Sequence, residues 1–134
     1  MDRAFSVEDI GLVTVPSRYP VAETIDRLEN VLTAKGIKIF ARIDQQHEAE
    51  EVGLTLRPTV LLLFGNPKGG TPVMQASPGA AIDLPLKLLA WSDDSGQTWV
   101  SYNSPQYLQQ RHGLPDDLVK NIAAAGALVQ EALA

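Results

Sequence analysis

The sequence predicts an α+β fold, a two-layer sandwich in which an antiparallel sheet is covered by helices on one face. Strand-like segments follow one another without long helices between most of them, which favours antiparallel pairing. Long amphipathic helices are predicted only after the first strand and at the end of the chain. No internal repeat and no linker rich in Pro, Gly or Ser divides the 134 residues, so we expect a single domain over residues 1–134.

Composition and charge exclude several classes of function. The net charge is -5 and the basic residues are scattered, whereas nucleic-acid binding needs clustered Lys and Arg. The absence of cysteine excludes disulfides, thiolate metal sites and thiol catalysis, and it fits a reducing cytoplasm. The N-terminal segment lacks the apolar core of a signal peptide, and no stretch has the length of a membrane span. We therefore expect a cytoplasmic protein that binds neither nucleic acid nor membranes.

The first strand and the first helix are separated by a change of hydrophobic period. Residues 12–15 alternate weakly, as a strand does. Residues 20–36 then carry helix signals, with Pro at the first position, an acid in the first turn and a Lys-Gly pair at the end. Apolar residues recur at helical spacing and form the stripe that we expect to be buried: Val21, Ile25, Leu28 and Leu32.

The next two strands differ in how they are expected to be covered. Residues 45–52 between them are short and charged, and predict one or two helical turns. Residues 59–64 are apolar throughout, which is typical of a strand covered on both sides or lying next to an interface. Residues 37–44 have a period of two, which predicts a half-buried strand. Its buried face is expected to consist of Ile37, Ile39, Ala41 and Ile43.

The segment after residue 64 is rich in Gly and Pro. Residues 65–70 are predicted to form a structured loop. A short helix is predicted to follow, with Thr71 as its cap and Pro72 at its first position.

A hairpin and a final helix complete the predicted fold. Residues 86–92 and 98–101 read as strands joined by the turn Asp-Asp-Ser-Gly-Gln, and Trp91 and Trp99 are expected to pair across it. Residues 115–133 are predicted to form one long helix. Its buried stripe is expected to consist of Leu118, Ile122, Ala125, Val129 and Leu133.

Four segments of the chain resemble the family named domain of unknown function 302. They are Glu23–Asp44, Phe64–Gln75, Ala81–Trp91 and Trp99–Pro105. The resemblance implies a β-α-β4-α fold like that of the TATA-binding protein, a cytoplasmic location and a homodimer, and it implies no known reaction. The family pattern places a histidine directly after the aspartate that ends the second strand. Here Gln45 follows Asp44, and the nearest histidine is His47.

The Gly-rich segment is the strongest candidate for a ligand site. It resembles a phosphate-binding loop, but no Lys stands between Gly70 and Thr71, where that motif requires one. Free backbone N–H groups at a helix start, with Lys68 beside them, can still hold a carboxylate or phosphate. The alternative is that the glycines permit positive φ in a tight crossover. The candidate ligand site comprises Asp44, Asn66, Lys68, Gly69, Gly70 and Thr71.

Three polar groups outside this loop have both functional and structural interpretations. His47 and Glu51 are four residues apart on a predicted helix and can hold a metal, but two ligands are too few, so we expect neither a metal nor another cofactor. Asp83 lies between apolar residues, either as an acid or base or as a carboxylate that accepts backbone N–H groups before Pro85. His112 is expected to interact with the C-terminal dipole of a short helix.

The leading hypothesis for function is a non-enzymatic module that binds or senses a small molecule, as a homodimer with a small anionic ligand. Two alternatives remain open at this point. One is a small enzyme that uses Asp44, His47 or Lys68 for proton transfer. The other is a structural protein that binds a partner through its sheet face or its hairpin aromatics.

Overall fold

The computed structural model describes residues 11–134, and the expectation about a signal segment concerns residues that lie largely outside this range. Five strands form one antiparallel sheet with the spatial order β1-β5-β4-β3-β2. The first strand and the second therefore lie at opposite edges. The strands are β1 Leu12–Ser17, β2 Lys38–Asp44, β3 Thr59–Gly65, β4 Leu86–Ser92 and β5 Thr98–Asn103.

Within residues 11–134, six α-helices and two short 3-10 helices connect and cover these strands. The α-helices are α1 Val21–Ala34, α2 Gln45–Glu51, α3 Pro67–Ala76, α4 Pro105–His112, α5 Asp116–Val119 and α6 Ala125–Leu133. The 3-10 helices span Pro78–Asp83 and Lys120–Ile122. The two-layer α+β sandwich that the sequence predicts is confirmed. No helix within residues 11–134 is long and apolar enough to cross a bilayer.

One face of the sheet carries the main core, because α1 and α6 both pack on it. The predicted stripe of α1 is buried as expected, and Thr24 joins it through a 2.7 Å hydrogen bond between its hydroxyl and that of Ser17. The sheet contributes alternate residues of its central strands to the same core. These are Val60, Leu62 and Phe64 of β3, Leu88 and Ala90 of β4, and Val100 of β5.

A second cluster of buried residues lies beyond the end of the sheet and is called the end cluster here. It is built by the short helices that follow β3 and β5. Its members are Val73, Ala80, Leu108, Leu114 and Ile122.

The predicted faces of β2 are wrong in its second half because of a β-bulge. The register shifts between Ile39 and Ala41, so the extra residue turns the rest of the strand over. Ala41 and Ile43 therefore lie on the face away from the helices. Arg42 lies on the helix face, where one of its guanidinium N–H groups donates 2.9 Å hydrogen bonds to both Asp26 and Glu29 of α1.

The predicted loop 65–70 and the predicted long final helix also need correction. Asn66 and Pro67 supply the cap and the first helical position, so α3 begins earlier than expected and Pro72 lies inside it. The final helix is broken into α5, a 3-10 turn and α6. Ile122 packs in the end cluster whereas Ala125 packs in the main core, and one straight helix cannot direct both residues into different clusters.

Candidate functional site

A cavity of about 270 Å³ lies at the end of the sheet where β3 ends and β4 begins. Helix α3 forms one wall, and the 3-10 helix Lys120–Ile122 closes the other side. The apolar part of its wall consists of Phe40, Pro67, Met74, Leu84, Pro85, Leu86 and Ile122. The polar part consists of Asn66, Thr71 and Asn121, together with the backbone of Gly65 and Gly70.

The first turn of α3 uses its own backbone donors. The Asn66 side-chain oxygen accepts the N–H of Lys68 at 3.0 Å, and the Asn66 carbonyl accepts the N–H groups of Gly69 and Gly70, both at 2.9 Å. Pro67 has no N–H to offer. The free donors that an anion would need at this helix start are therefore already engaged within the chain.

The glycine at position 69 does not have positive φ. Among the described residues the glycines with positive φ are Gly11, Gly36, Gly53, Gly96 and Gly113, so the positive-φ interpretation of the Gly-rich segment is wrong. A Cβ on residue 69 would lie 3.4 Å from the backbone oxygen of Asn121. The Asn121 side chain also donates a 3.1 Å hydrogen bond to the carbonyl of residue 69. Helix α3 thus contacts the second 3-10 helix at this residue, where a Cβ would make an ordinary van der Waals contact.

The structure brings together only part of the predicted ligand site. Asn66, Gly70 and Thr71 line the cavity, and Gly69 lies directly behind its wall. Lys68 is exposed and lies outside the wall.

Asp44 lies at the opposite end of the sheet from the cavity. It pairs with Val60, whereas Lys38 at the other end of the same strand pairs with Gly65. Six residues of strand separate the two ends by roughly 20 Å, since a strand rises about 3.4 Å per residue. The Asp44 carboxylate accepts the N–H of His47 at 3.0 Å and so caps α2.

The candidate metal pair lies on an exposed helix. Helix α2 buries none of its residues, and both His47 and Glu51 face solvent. Within residues 11–134 no three or more His, Asp or Glu side chains are placed together so as to hold a metal ion.

The sequence interpretation missed an acid–histidine pair beside the cavity. His112 Nε2 lies 2.5 Å from Asp83 Oδ2, and Arg111 donates to the same oxygen at 3.2 Å. Both members of the close pair are largely buried, with 9% of the His112 and 14% of the Asp83 side chain exposed. Asp83 thus bonds two side chains of α4 instead of the backbone groups expected of it. Leu84 directly follows Asp83 in the sequence and lines the cavity. The Asp83–His112 pair therefore holds this part of the cavity wall against α4.

The two tryptophans pair across the hairpin as predicted. The Trp91 and Trp99 ring centroids are 6.4 Å apart with planes at 29°. Asp93 in the turn accepts hydrogen bonds from the Trp99 indole N–H at 2.9 Å and the Ser95 hydroxyl at 2.8 Å. These two donors favour the carboxylate and lower the pKa of Asp93 to about 2.

The fold and the cavity define a class of small α+β domains with a mainly apolar pocket at one end of the sheet, in whose wall the described residues include no titratable side chain. Residues 13–133 match the family described as "Domain of unknown function DUF302", and the chain belongs to this family. The crystal structure of the "uncharacterized conserved protein DUF302 from Bacillus stearothermophilus" is similar, with a TM-score of 0.76 and 25% identity. The similarity covers 92% of this chain and 96% of that one.

Longer proteins also contain a region similar to this chain. It is 48% identical over 109 residues to a protein of Brucella suis biovar 1 (strain 1330) named "Fluoride-specific ion channel FluC 1". A protein of the same name from Brucella abortus biovar 1 (strain 9-941) shows the same identity over the same length. The match covers 81% of this chain but only 43% and 40% of these relatives. More than half of each relative therefore lies outside the similarity.

Proposed function

We propose that this protein is a non-enzymatic domain that binds a small, mainly apolar and uncharged molecule in the cavity beside α3. The observation that carries the proposal is the cavity wall, in which apolar side chains surround two amides and one hydroxyl. Ligand sites in proteins are mostly apolar, with a few polar groups that orient the ligand. A volume of about 270 Å³ suits a compact metabolite and not an extended cofactor.

The polar groups of the wall can orient one polar group of a ligand. The side-chain oxygen of Asn66 accepts the N–H of Lys68. The side-chain nitrogen of Asn121 donates to the carbonyl of Gly69. An amide has both donors and acceptors, so Asn66 keeps its NH₂ and Asn121 keeps its oxygen for a ligand. A ligand carbonyl or hydroxyl fits this set better than an anion, because the wall has no basic side chain.

The placement of the three residues considered for proton transfer supports binding over catalysis. A general acid or base must lie within hydrogen-bond reach of the reacting group. Asp44 is at the far end of β2, His47 is exposed on α2, and Lys68 is exposed on α3. None of the three contributes to the cavity wall.

The proposal also covers the cellular form of the protein. We propose a cytoplasmic homodimer with kinship to the TATA-binding-protein fold. When only the two helices of the main core, α1 and α6, are counted, the chain runs β-α-β4-α, which is the connectivity expected of that fold. The absence of cysteine fits a reducing compartment.

A ligand screen with matched variants tests the cavity. Neutral metabolites that bind the native state should raise its melting temperature. Gly70→Leu should abolish the shift by filling the cavity, whereas Gly79→Leu, in a 3-10 helix with nothing within 4 Å, should retain it. Lys68→Ala should also retain the shift. An unchanged shift in Gly70→Leu would place the ligand elsewhere, and a loss in Lys68→Ala would favour the anionic ligand.

A second candidate function is that of an accessory domain for a membrane channel. It is favoured by the relatives named as fluoride channels, which carry a similar domain together with a longer remaining chain. The tagged protein should then co-purify with a fluoride channel expressed in the same cells, and the variant Gly70→Leu should serve as a control for dependence on the cavity. Absence of a complex at stoichiometric expression would rule out this function.

A further inference from the structure

We propose that a second copy of this chain packs on the face of the sheet that lies away from α1 and α6, called the open face here. The inference rests on the proposed homodimer and identifies its interface. The strand register places alternate residues of each strand on this face, and none of them belongs to either buried cluster. Its apolar members are Ala41, Ile43, Leu61, Leu63, Leu89, Trp91 and Trp99.

The open face is too apolar for a surface that only meets water. In an antiparallel sheet with one solvated face, polar residues on that face normally alternate along each strand with apolar residues on the buried face. In β3, however, Leu61 and Leu63 on the open face alternate with Leu62 and Phe64 in the core, so the strand is apolar on both sides. The bulge in β2 adds Ile43 to the same surface. Four adjoining strands thus present a continuous apolar patch.

The polar atoms of the open face already have partners within the chain. The Trp91 indole N–H donates to the Ser101 hydroxyl at 2.9 Å, and the Ser101 hydroxyl lies 2.9 Å from that of Thr14. The Trp99 indole N–H donates to Asp93, and the Lys87 ammonium donates to the Pro85 carbonyl at 3.0 Å. Covering the face therefore leaves none of these groups without a hydrogen bond, which removes the main cost of burying polar atoms.

The size of the open face suits a dimer interface. The four strands of the apolar patch, about 4.8 Å apart and about seven residues long, give a projected area on the order of 450 Å². That is within the range of the largest apolar patches on monomers and is more than half of the roughly 800 Å² per partner of a standard interface. Leu56, which is 41% exposed and borders the depression lined by Trp91 and Trp99, extends the surface at one end.

The charges at the two ends of the open face favour a second copy over another partner. Lys38 and Lys87 lie at the end where β3 finishes. Asp93 and Asp94 lie in the hairpin turn at the other end, where Asp94 pairs with Arg57 and the Asp93 carboxylate has no basic partner among the described residues. A two-fold axis in the plane of the interface and perpendicular to the strands reverses the strand direction. It therefore sets the lysines of one copy over the aspartates of the other at both ends, as an isologous interface requires.

Oligomeric state in matched variants tests the interface. The wild-type protein should have twice the monomer mass of 14.5 kDa in sedimentation and light scattering over about 1–100 µM. Leu61→Thr with Leu89→Thr should raise the dimer dissociation constant at least roughly tenfold. The control, Val52→Thr with Leu54→Thr, removes exposed apolar side chains outside the open face and should leave the constant unchanged. Circular dichroism checks that each variant is folded.

Lys87→Glu gives a second, milder test that does not remove apolar side chains. It should weaken the dimer and reverse the dependence of its dissociation on salt, whereas Lys35→Glu on the helix layer should not. Both tryptophans of the chain lie on the open face, so dilution through the dissociation constant should increase acrylamide quenching of the intrinsic fluorescence. This quenching measurement tests the interface even if the variant Leu61→Thr with Leu89→Thr does not fold.

The outcomes separate the interface from the proposed dimer. A wild-type protein that stays monomeric at about 100 µM overturns both the homodimer and this interface. A wild-type dimer that is unaffected by the leucine and lysine changes overturns the open face and leaves the homodimer in place. Neither result affects the proposal that a ligand binds in the cavity, because separate variants test that proposal.

Discussion

Gly11 shows how one position can depend on both backbone conformation and space. Its φ is +71°, and a Cβ would lie 2.3 Å from Cγ of the Tyr107 ring. Its carbonyl accepts the N–H of Ser104 at 2.8 Å, so the backbone cannot easily shift away from α4. We expect Gly11→Ala to destabilise the fold by about 2–4 kcal/mol, measured by denaturant titration. Gly53→Ala, with positive φ but nothing within 4 Å, is the control and should cost about 1 kcal/mol.

Asp93 is the residue whose pH dependence can be predicted. Its pKa falls from the ordinary value of 3.8 to about 2 in the folded chain, chiefly because Trp99 and then Ser95 donate to it. A lowered folded pKa contributes stability that is complete above the unfolded pKa and is lost as the pH falls through the folded one. The hairpin should therefore lose stability between about pH 4 and pH 2.

Tryptophan fluorescence during acid titration measures this effect. Asp93→Asn should remove this part of the acid sensitivity, because the residue no longer titrates. Asp94→Asn is the matched control. The Asp94 carboxylate lies next to Asp93 in sequence, but it pairs with Arg57 and receives no hydrogen bond from a tryptophan. An identical titration in wild type and Asp93→Asn would contradict the role assigned to the Trp99 hydrogen bond.

At the scale of elements, α1 is the helix on which the main core depends. Its stripe faces three central strands and α6, and Leu28 in its middle is only 1% exposed. We expect Leu28→Ala to lower the free energy of unfolding by about 2–4 kcal/mol, because the surrounding core cannot collapse fully into the gap. Asn30→Ala on the exposed side of the same helix is the control. A loss below about 0.5 kcal/mol in denaturant titration would show that the helix register is different.

The elements also show where period and capping patterns are reliable. The stripe of α1 and the hairpin around Trp91 and Trp99 follow from residues close together in sequence, and both are confirmed. The cap-then-proline pattern occurs twice near the Gly-rich segment, at Asn66-Pro67 and at Thr71-Pro72. The first pair starts the helix, because Asn66 directly follows the end of β3 and caps the helix with its side chain. Local pattern alone does not choose between the two.

At the scale of the whole molecule, two unequal clusters predict unequal stability. The main core unites the sheet with two helices, whereas the end cluster contains five buried residues from short helical segments. Segments with few buried apolar contacts open locally before the whole fold does. In hydrogen exchange we expect amides of α3 and α4 to exchange well before those of β3 and β4. Equal exchange rates in both regions would mean that the molecule opens as one unit.

A ligand in the cavity should change this difference. The cavity shares Ile122 with the end cluster, and Leu84 and Leu86 of its wall pack against that cluster. An occupant should therefore slow exchange there more than in the main core. Slowing confined to β3 and β4 would indicate a ligand or partner on the sheet instead.

The sequence by itself determined the features that depend on near neighbours. The α+β class, the stripe of α1, the hairpin and the family resemblance all follow from period, turn residues and motif order. These are local properties, because side-chain direction repeats every two residues in a strand and every 3.6 in a helix. The apolar character of β3 predicted a strand covered on both sides or lying next to an interface. The helices cover one of its faces, and cover of the other face stays a prediction.

The tertiary structure alone determined which residues that are distant in the sequence lie close together. Asp83 and His112 are 29 residues apart, and no spacing rule predicts that their side chains meet. The bulge in β2 depends on pairing with β3, and it alone moves Ile43 to the open face and Arg42 to α1. Asp44 ends β2 and Asn66 directly follows the end of β3, but antiparallel pairing places these two positions at opposite ends of the sheet. The candidate site therefore lies at one end only, because strand direction is set by long-range pairing and not by the residues themselves.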